Sequence, residues 1–231
     1  MRVAVVGGHG KTGRAVAAGL VARGATAVPL GRTDWADLGT AVAGCDAAYV
    51  IAPNLHPDEP SYVTHALAAL QRAGVGRVVH HSVAAPYAPA MPHHLGKARS
   101  EDVVRRSGLD WTILQPGAYL QNLDLAKAIE VPYSPDARFG FLDLADLGRA
   151  AAVVLTEPGH VGATYELASR VATVRELADE AGVTVTQVPD PGHHPWLSAM
   201  FAYYDAHGLL VGTRVLDCLL GAVPPQPPGT R

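Results

Sequence analysis

The sequence predicts an α/β fold: a doubly wound parallel sheet followed by a small C-terminal α/β substrate lobe. Three observations indicate it: short β-branched runs alternate with Ala-rich helical stretches, the strands lack polar alternation, and most helices end at a glycine. Of the 231 residues, 48% are hydrophobic and 17% are charged, which suits one core and not two full domains. We expect residues 1–156 to form the main domain and 157–231 a lobe that does not fold independently.

The strands of the main domain are predicted from short apolar runs. They are expected near residues 2–6, 26–30, 46–52, 77–82 and 110–115. A run such as 46–52 has no polar alternation, which is typical of a parallel strand buried on both faces beneath helices. Connections of this kind are right-handed, so helices should cover both faces of the sheet.

The helices of the main domain are predicted near 11–23, 35–43, 59–73 and 94–107, each rich in Ala and Leu. A glycine follows each of them, and these four glycines are interpreted as helix stops: Gly24, Gly44, Gly74 and Gly108. The later elements are a helix over 143–156, a strand Thr164–Leu167, a helix Val174–Ala181, a strand Val183–Val188 and helices Trp196–Ala206 and Val211–Leu220. The proline-rich segment Val223–Arg231 is expected to be disordered or extended.

Composition argues against several classes of protein. The net charge of -3 and pI near 6.4 disfavour binding to nucleic acid or to an acidic membrane surface. No run approaches the ~18 consecutive apolar residues of a membrane helix, and the chain enters its first strand without a signal-peptide pattern. The two cysteines, Cys45 and Cys218, are far apart and suggest neither a disulfide framework nor a zinc cluster. A cytoplasmic, soluble protein is expected.

Metal and nucleophile chemistry are also disfavoured. Three His-His pairs occur, but adjacent side chains on a strand point to opposite faces, so no metal site is predicted. Ser82 lacks the Gly-x-Ser-x-Gly setting of a hydrolase nucleophile.

The most informative segment is a glycine-rich loop between the first strand and the first helix. Gly7 permits a tight turn, Gly10 lets the backbone approach a pyrophosphate, and Gly13 lets the helix pack close to the strand. The helix N-terminus adds amide donors for an anion. The loop predicts a dinucleotide site that also includes His9, Lys11 and Thr12.

The residues after the second strand favour NADP over NAD. No carboxylate follows the strand directly, whereas Arg32, assisted by Lys11, can pair with a 2′-phosphate. NAD remains an alternative because Asp34 could hold a ribose hydroxyl, and Arg32 could instead be a solvated surface residue.

Several segments resemble the NmrA-like branch of the atypical short-chain dehydrogenases/reductases, and the resemblance covers nearly the whole chain. They are the glycine loop, Asp34-Trp35, 43–53, 78–82, 107–117, Asn122 and 203–209. The resemblance implies a Rossmann fold that binds NAD(P) and a small C-terminal substrate lobe. It implies a cofactor site lined by Trp35, Ala52, Pro53, Asn54, Ser82, Pro116, Gly117 and Tyr119.

The catalytic residues depart from the usual pattern. Ordinary short-chain reductases use Tyr-x-x-x-Lys on one helix face, whereas this sequence has His93-His94-Leu95-Gly96-Lys97. Lys97 is expected at the nicotinamide ribose, and His93 or His94 could donate a proton because imidazole titrates near pH 6.5. Ser82 and Tyr119 are the other candidates. Gln115 stands where the family often has Arg, and each of these residues could instead be structural.

The leading hypothesis is an NADPH-dependent reductase of a small apolar carbonyl, enone or quinone-like substrate, and biosynthetic tailoring is one compatible setting. Trp196, Met200, Phe201 and Tyr204 recur at helical spacing and could form either pocket or core. The alternatives are a redox sensor that binds NAD(P) without turnover, and an isomerase or epimerase in which hydride returns to the same molecule. The expected partner is a small molecule, and both monomer and homodimer remain open.

Overall fold

The computed structural model describes residues 1–221, and its main sheet has six parallel strands. Their order across the sheet is β2-β1-β3-β4-β5-β9. The strands are β1 (Arg2–Val6), β2 (Thr26–Leu30), β3 (Ala47–Val50), β4 (Arg77–His81), β5 (Asp110–Pro116) and β9 (Ala163–Leu167). Since the order reverses beside β1, the carboxyl ends of β1 and β3 flank the crevice where such sheets bind ligands.

Helices cover both faces of this sheet, which confirms the doubly wound prediction. One face carries α1 (Lys11–Ala22), α5 (Leu144–Thr156) and α8 (Arg214–Leu219), whose buried side chains include Val16, Leu20, Leu147 and Leu216. The other face carries α2 (Leu38–Ala41), α3 (Glu59–Arg72) and α4 (Pro92–Arg105), which bury Leu38, Leu67, Leu70 and Val104. These two apolar layers form the core on either side of the strands.

A third core lies in the smaller part of the molecule. It is built from the sheet β10-β8-β6 and the pair β11-β7. The strands are β6 (Ala118–Tyr119), β7 (Ile129–Val131), β8 (Arg138–Leu142), β10 (Arg170–Thr173) and β11 (Val185–Gln187). Helices α6 (Val174–Ala181) and α7 (Pro195–His207) pack here around Phe139, Phe141 and Tyr204. This part faces the carboxyl end of β5, because β6 follows that strand directly.

The predicted elements of the main domain are found with small shifts at their ends. The four glycine stops all have positive φ, from +71° to +77°. The helix predicted over 35–43 is instead a 3₁₀ helix (Arg32–Asp37) followed by the short α2. In the C-terminal part, the strand predicted at Val183–Val188 is shortened to Val185–Gln187.

Four strands were not predicted: β6, β7, β8 and β10. The division into 1–156 and 157–231 stays a prediction, and the sheets do not follow it. β9 lies after residue 156 and completes the main sheet, whereas β6, β7 and β8 lie before it and belong to the small sheets.

The extended segment predicted at Val223–Arg231 lies outside the described residues. Over residues 1–221, no helix is long and apolar enough to cross a bilayer.

Candidate active site

The loop between β1 and α1 is shaped by glycines that are needed for different reasons. Gly7 has φ +81°, and the N–H groups of Gly7 and Gly8 both donate to the carbonyl of Leu30 at 3.0 Å. A Cβ on Gly13 would lie 2.4 Å from the oxygen of Gly7, so α1 can pack on the turn only without a side chain there. The spacing did not identify Gly8, where a Cβ would lie 2.7 Å from the Cα of Pro29.

Gly10 differs from these glycines because the position that its side chain would occupy is not filled by other atoms of the protein. A Cβ there would meet only the oxygen of Gly7, at 3.5 Å, which is an ordinary contact. Gly10 is also the N-cap of α1 and provides no side chain to cap the helix. The first amides of α1 therefore face an open cradle that fits a pyrophosphate.

A cleft of about 1570 Å³ begins at this loop and continues to the smaller part of the molecule. It runs past the carboxyl ends of β1, β4 and β5, where ligands bind in sheets of this type. All predicted site residues line it except Asp34 and His94. The structure therefore brings together residues that are separated by more than a hundred positions in sequence, such as Gly7 and Tyr119.

The two exceptions bind other parts of the protein. Asp34 Oδ2 accepts from the N–H of Gly31 at 2.8 Å and so closes the start of the 3₁₀ helix. His94 is fully buried, with Nδ1 3.0 Å from the carbonyl oxygen of Ala84 and Nε2 3.5 Å from the hydroxyl of Tyr204. Both side chains hold local structure in place.

Ser82 lines the cleft, but its hydroxyl group donates its hydrogen bond to another side chain of the protein. Its Oγ donates to Glu101 Oε1 at 2.5 Å, and Gln115 Nε2 donates to the same oxygen at 2.7 Å. The other Glu101 oxygen pairs with Arg105 at 3.0 Å. Gln115, at the position where the family often has Arg, therefore donates a hydrogen bond to a buried carboxylate whose charge is compensated by Arg105.

Tyr119 belongs to a buried chain of three hydrogen-bonding side chains. His81 Nδ1 lies 2.7 Å from the hydroxyl of Tyr49, and His81 Nε2 lies 2.9 Å from that of Tyr119. Burial, aided by the charge of Lys97, lowers the pKa of His81 to about 3. Burial also raises the pKa of Tyr119 well above its usual value, against a hydrogen bond with Thr12. The chain is neutral at pH 7 and ends in the core, so Tyr119 can orient a ligand but is a weak acid.

Lys97 carries the positive charge at the centre of the cleft. Its Nζ lies 3.0 Å from Glu59 Oε1 and donates to the carbonyl of His81 at 3.3 Å. Glu59 was not identified from the sequence, since only the packing of α3 against α4 brings it to Lys97.

The role of His93 and His94 as proton donors stays a prediction, but their surroundings favour the neutral ring. Burial, followed by the charge of Lys97, lowers the pKa of His93 to about 4. Burial also lowers the pKa of His94 to about 4, although hydrogen bonds to Ala85 and Ala84 oppose the shift. Neither ring is an imidazolium at neutral pH, so titration near pH 6.5 does not supply a proton here. His93 still lines the cleft as a neutral ring, 6.5 Å from that of Trp196.

Lys11 and Arg32 both line the cleft, and their joint contact with a 2′-phosphate stays a prediction. Lys11 Nζ donates to Asn122 Oδ1 at 2.5 Å and so bridges the glycine loop to the segment after β6. The loop residue that lies against Gly31, beside Arg32, is His9. The lining residues between 7 and 35 include Arg32 and no carboxylate.

An aromatic group lines the cleft beyond Arg32. The rings of Trp35 and Tyr62 stack with centroids 3.9 Å apart, and His56 lies 5.3 Å from Tyr62. Burial raises the pKa of Tyr62 to about 12, and the charge of Glu59 adds to the effect. Tyr62 and His56 were not predicted; their position around the start of α3, after the third strand, was the available signal.

The other end of the cleft is an aromatic chamber, formed by Tyr133, Phe139, Phe201 and Tyr204. Tyr133 lies 5.3 Å from Phe139, 6.1 Å from Phe201 and 5.8 Å from Tyr204, measured between ring centroids. Met200 lines the cleft as well, whereas Trp196 does not. Tyr133 and Phe139 were missed because β8 and the segment before it were not predicted.

The part of the chain that the structure describes contains no group of three or more His, Cys, Asp or Glu side chains placed to hold a metal ion.

Comparisons with known proteins identify the family of the chain. A family model described as NAD(P)H-binding matches residues 24–158, more than half of the chain. An NAD(P)H azoreductase from Xenophilus azovorans is 32% identical over 136 residues, which are 55% of this chain and 47% of that protein. The chain spans about half the length of the curated relatives it matches.

Solved structures show the same fold. Triphenylmethane reductase from Citrobacter sp., complexed with NADP(H), has a TM-score of 0.76 at 21% identity, over 98% of this chain and 97% of that one. Nmra, a negative transcriptional regulator in complex with NAD, has a TM-score of 0.76 at 17% identity, over 95% and 91%. The predicted NmrA-like Rossmann fold is confirmed, and with the matching family model the chain belongs to the NAD(P)H-binding family.

Proposed function

We propose that the protein is an NADPH-dependent reductase of a small, apolar, conjugated substrate, such as a quinone, an enone or a related carbonyl compound. The observation that carries this proposal is the continuous cleft, which joins a phosphate-binding loop to the aromatic chamber. A redox cofactor and an apolar acceptor can therefore meet in one water-poor space. The azoreductase activity named for the curated relative supports the same class of chemistry.

Each part of the cleft would hold one part of the cofactor. The amides at the N-terminus of α1 would bind the pyrophosphate, and Arg32 would bind the 2′-phosphate. Trp35 would lie on the adenine side, and Gly117 and Lys97 on the nicotinamide side. The bound cofactor supplies hydride.

The proton is best supplied by Lys97. Ser82 donates its hydrogen bond to Glu101, His93 is neutral, and burial raises the pKa of Tyr119. An ammonium has three N–H donors, of which Lys97 donates one to the carbonyl of His81, and Glu59 lies beside the ammonium as an ion pair at 3.0 Å. Another N–H can face the cleft and protonate an oxyanion that forms on the substrate, after which solvent restores the proton.

Arg32 is expected to determine the preference for NADPH. Arg32→Ala should weaken NADPH binding about 10- to 100-fold, because a charge-assisted contact to a phosphate contributes roughly 1.5–3 kcal/mol. Binding of NADH should change little. Titration calorimetry with both nucleotides would measure this selectivity. Arg106→Ala, which removes an exposed cation that pairs with Asp102 outside the cleft, is the control for a general loss of positive charge.

The proposed function is tested by following NADPH consumption with a naphthoquinone, an enone and an azo dye. We expect one NADPH to be oxidised for each molecule of reduced product. Tight NADPH binding without turnover of any substrate would overturn the proposal in favour of a sensor. Product formed without net NADPH consumption would overturn it in favour of an isomerase.

A further inference from the structure

Glu59 is a carboxylate buried behind the cleft wall. It is the first residue of α3 and is 2% exposed. Its Oε1 forms an ion pair with Lys97 Nζ at 3.0 Å, and neither carboxylate oxygen has a hydrogen-bond partner among the described residues. Burial of a carboxylate costs several kcal/mol unless a cation compensates it. Glu59 is therefore a poor choice for stability alone.

The start of α3 does not require Glu59. Asp58 already caps the helix, with Oδ1 accepting from the N–H of Ser61 at 3.2 Å. An acidic residue in the first turn interacts as favourably with the helix dipole when it is exposed. The burial of Glu59 is therefore best explained by its ion pair with Lys97.

Lys97 needs a fixed partner because its side chain is long and buried. Four rotatable bonds carry about 2 kcal/mol of rotamer entropy. The contacts to Glu59 and to the carbonyl of His81 hold the ammonium at two points. The hydrogen bond to His81 leaves an N–H of the ammonium for the cleft, which Lys97 lines and Glu59 does not.

The surroundings of Lys97 make Glu59 its main compensating charge. His80 and His81 lie near Lys97 on β4, and His93 and His94 lie on the same helix as Lys97. For all four, burial and then the positive charge of Lys97 are among the causes that lower the pKa. Burial raises the pKa of Glu59, and the positive charge of Lys97, followed by that of His56 before α3, opposes the rise.

We infer that Glu59 is a positioning residue, whose carboxylate holds the Lys97 ammonium in place so that one of its N–H groups is directed into the cleft. The role of that N–H in turnover rests on the proposed function. The pair itself does not, because it is present without cofactor or substrate.

The first test is NMR of the Lys97 ammonium in the protein without ligands. Glu59→Gln keeps the shape and removes the charge. In Glu59→Gln the Lys97 ammonium signal should shift and broaden, because the ammonium loses the carboxylate that holds it in place. Glu59→Asp, which keeps a carboxylate, should stay closer to the wild type. Glu180→Gln removes an exposed carboxylate paired with Arg170 and should cause no change. An unchanged Lys97 signal in Glu59→Gln would overturn the inference.

The second test is a double-mutant cycle measured by thermal stability. It remains decisive even if Glu59→Gln alone folds poorly. Lys97→Met leaves Glu59 buried without its cation and should lower the Tm. Adding Glu59→Gln to Lys97→Met should then raise the Tm again, because the uncompensated carboxylate is gone. Additive losses in the double variant would overturn the pairing.

Turnover provides the last measurement. In Glu59→Gln, kcat should fall about 10- to 100-fold with a smaller change in KM, and the loss should be greater at alkaline pH. A wild-type kcat and pH profile would show that Glu59 has no influence on the reaction. If the wild type itself shows no turnover, the proposed function fails, while the NMR and stability results still decide the role of Glu59.

Discussion

Between pH 7 and pH 5, the protein is expected to lose about 10–20 °C of its Tm. Four histidines are buried in or behind the cleft: His80, His81, His93 and His94. Burial is the largest cause that lowers the pKa of each, to about 3 for His81 and to about 4 for His93 and His94. The folded protein thus keeps four neutral imidazoles that become charged when it unfolds.

The direction of the effect follows from proton uptake. In the unfolded chain a histidine binds its proton near pH 6.5, whereas in the folded protein these pKa values lie lower. The stability is therefore fully present above pH 6.5 and is lost as the pH falls towards 4. Each histidine contributes up to about 1.4 kcal/mol per pH unit in this window. Thermal unfolding at half-unit steps of pH would measure the slope, and a constant Tm from pH 7 to pH 5 would contradict the prediction.

A substitution of His80 gives the most direct test of this pH dependence. It is fully buried, and neither ring nitrogen has a hydrogen-bond partner among the described residues. His80→Leu should leave the stability at pH 7 unchanged or higher, because an unsatisfied polar ring is replaced by an apolar side chain. It should also reduce the slope by about one proton. His193→Asn, at an exposed position, is the control and should not alter the slope.

The main sheet could be predicted from sequence because each of its first five strands is a local apolar run. The strands that were missed depend on distant partners. β8, for example, pairs with β10 through Arg138 and Thr173, and its Phe139 and Phe141 are buried only once that sheet and α7 are assembled. No window of the sequence contains that information.

The candidate site also contains residues that could be predicted from the sequence and residues that depend on distant partners. The glycine loop and the residues at strand ends were predicted, because their function follows from the position in a βαβ unit. Glu59, Glu101 and Tyr133 were missed, since each acts through a residue far away in the chain. The pKa of His93 could not be inferred either, because it depends on burial and on a neighbouring ammonium.

The second large effect is expected in the glycine loop, where two alanine substitutions should differ in how they change stability and NADPH binding. In Gly13→Ala, the new Cβ would lie 2.4 Å from the oxygen of Gly7 and 2.5 Å from the Cα of Gly8. Both are backbone atoms of the turn, so α1 must move away from it. We expect a loss of about 2–3 kcal/mol and a Tm lower by roughly 5–10 °C, with NADPH binding abolished.

In Gly10→Ala, the new Cβ has room within the protein, since its nearest neighbour is 3.5 Å away. The backbone at Gly10, with φ -73° and ψ 168°, is also allowed for alanine. The Tm should therefore fall by less than about 3 °C, whereas NADPH affinity should fall at least about 30-fold because the methyl group occupies the pyrophosphate cradle. Calorimetry and thermal unfolding of the two variants would separate binding from stability. Full NADPH affinity in Gly10→Ala would mean that the phosphates do not approach α1, and the proposed cofactor position would be wrong.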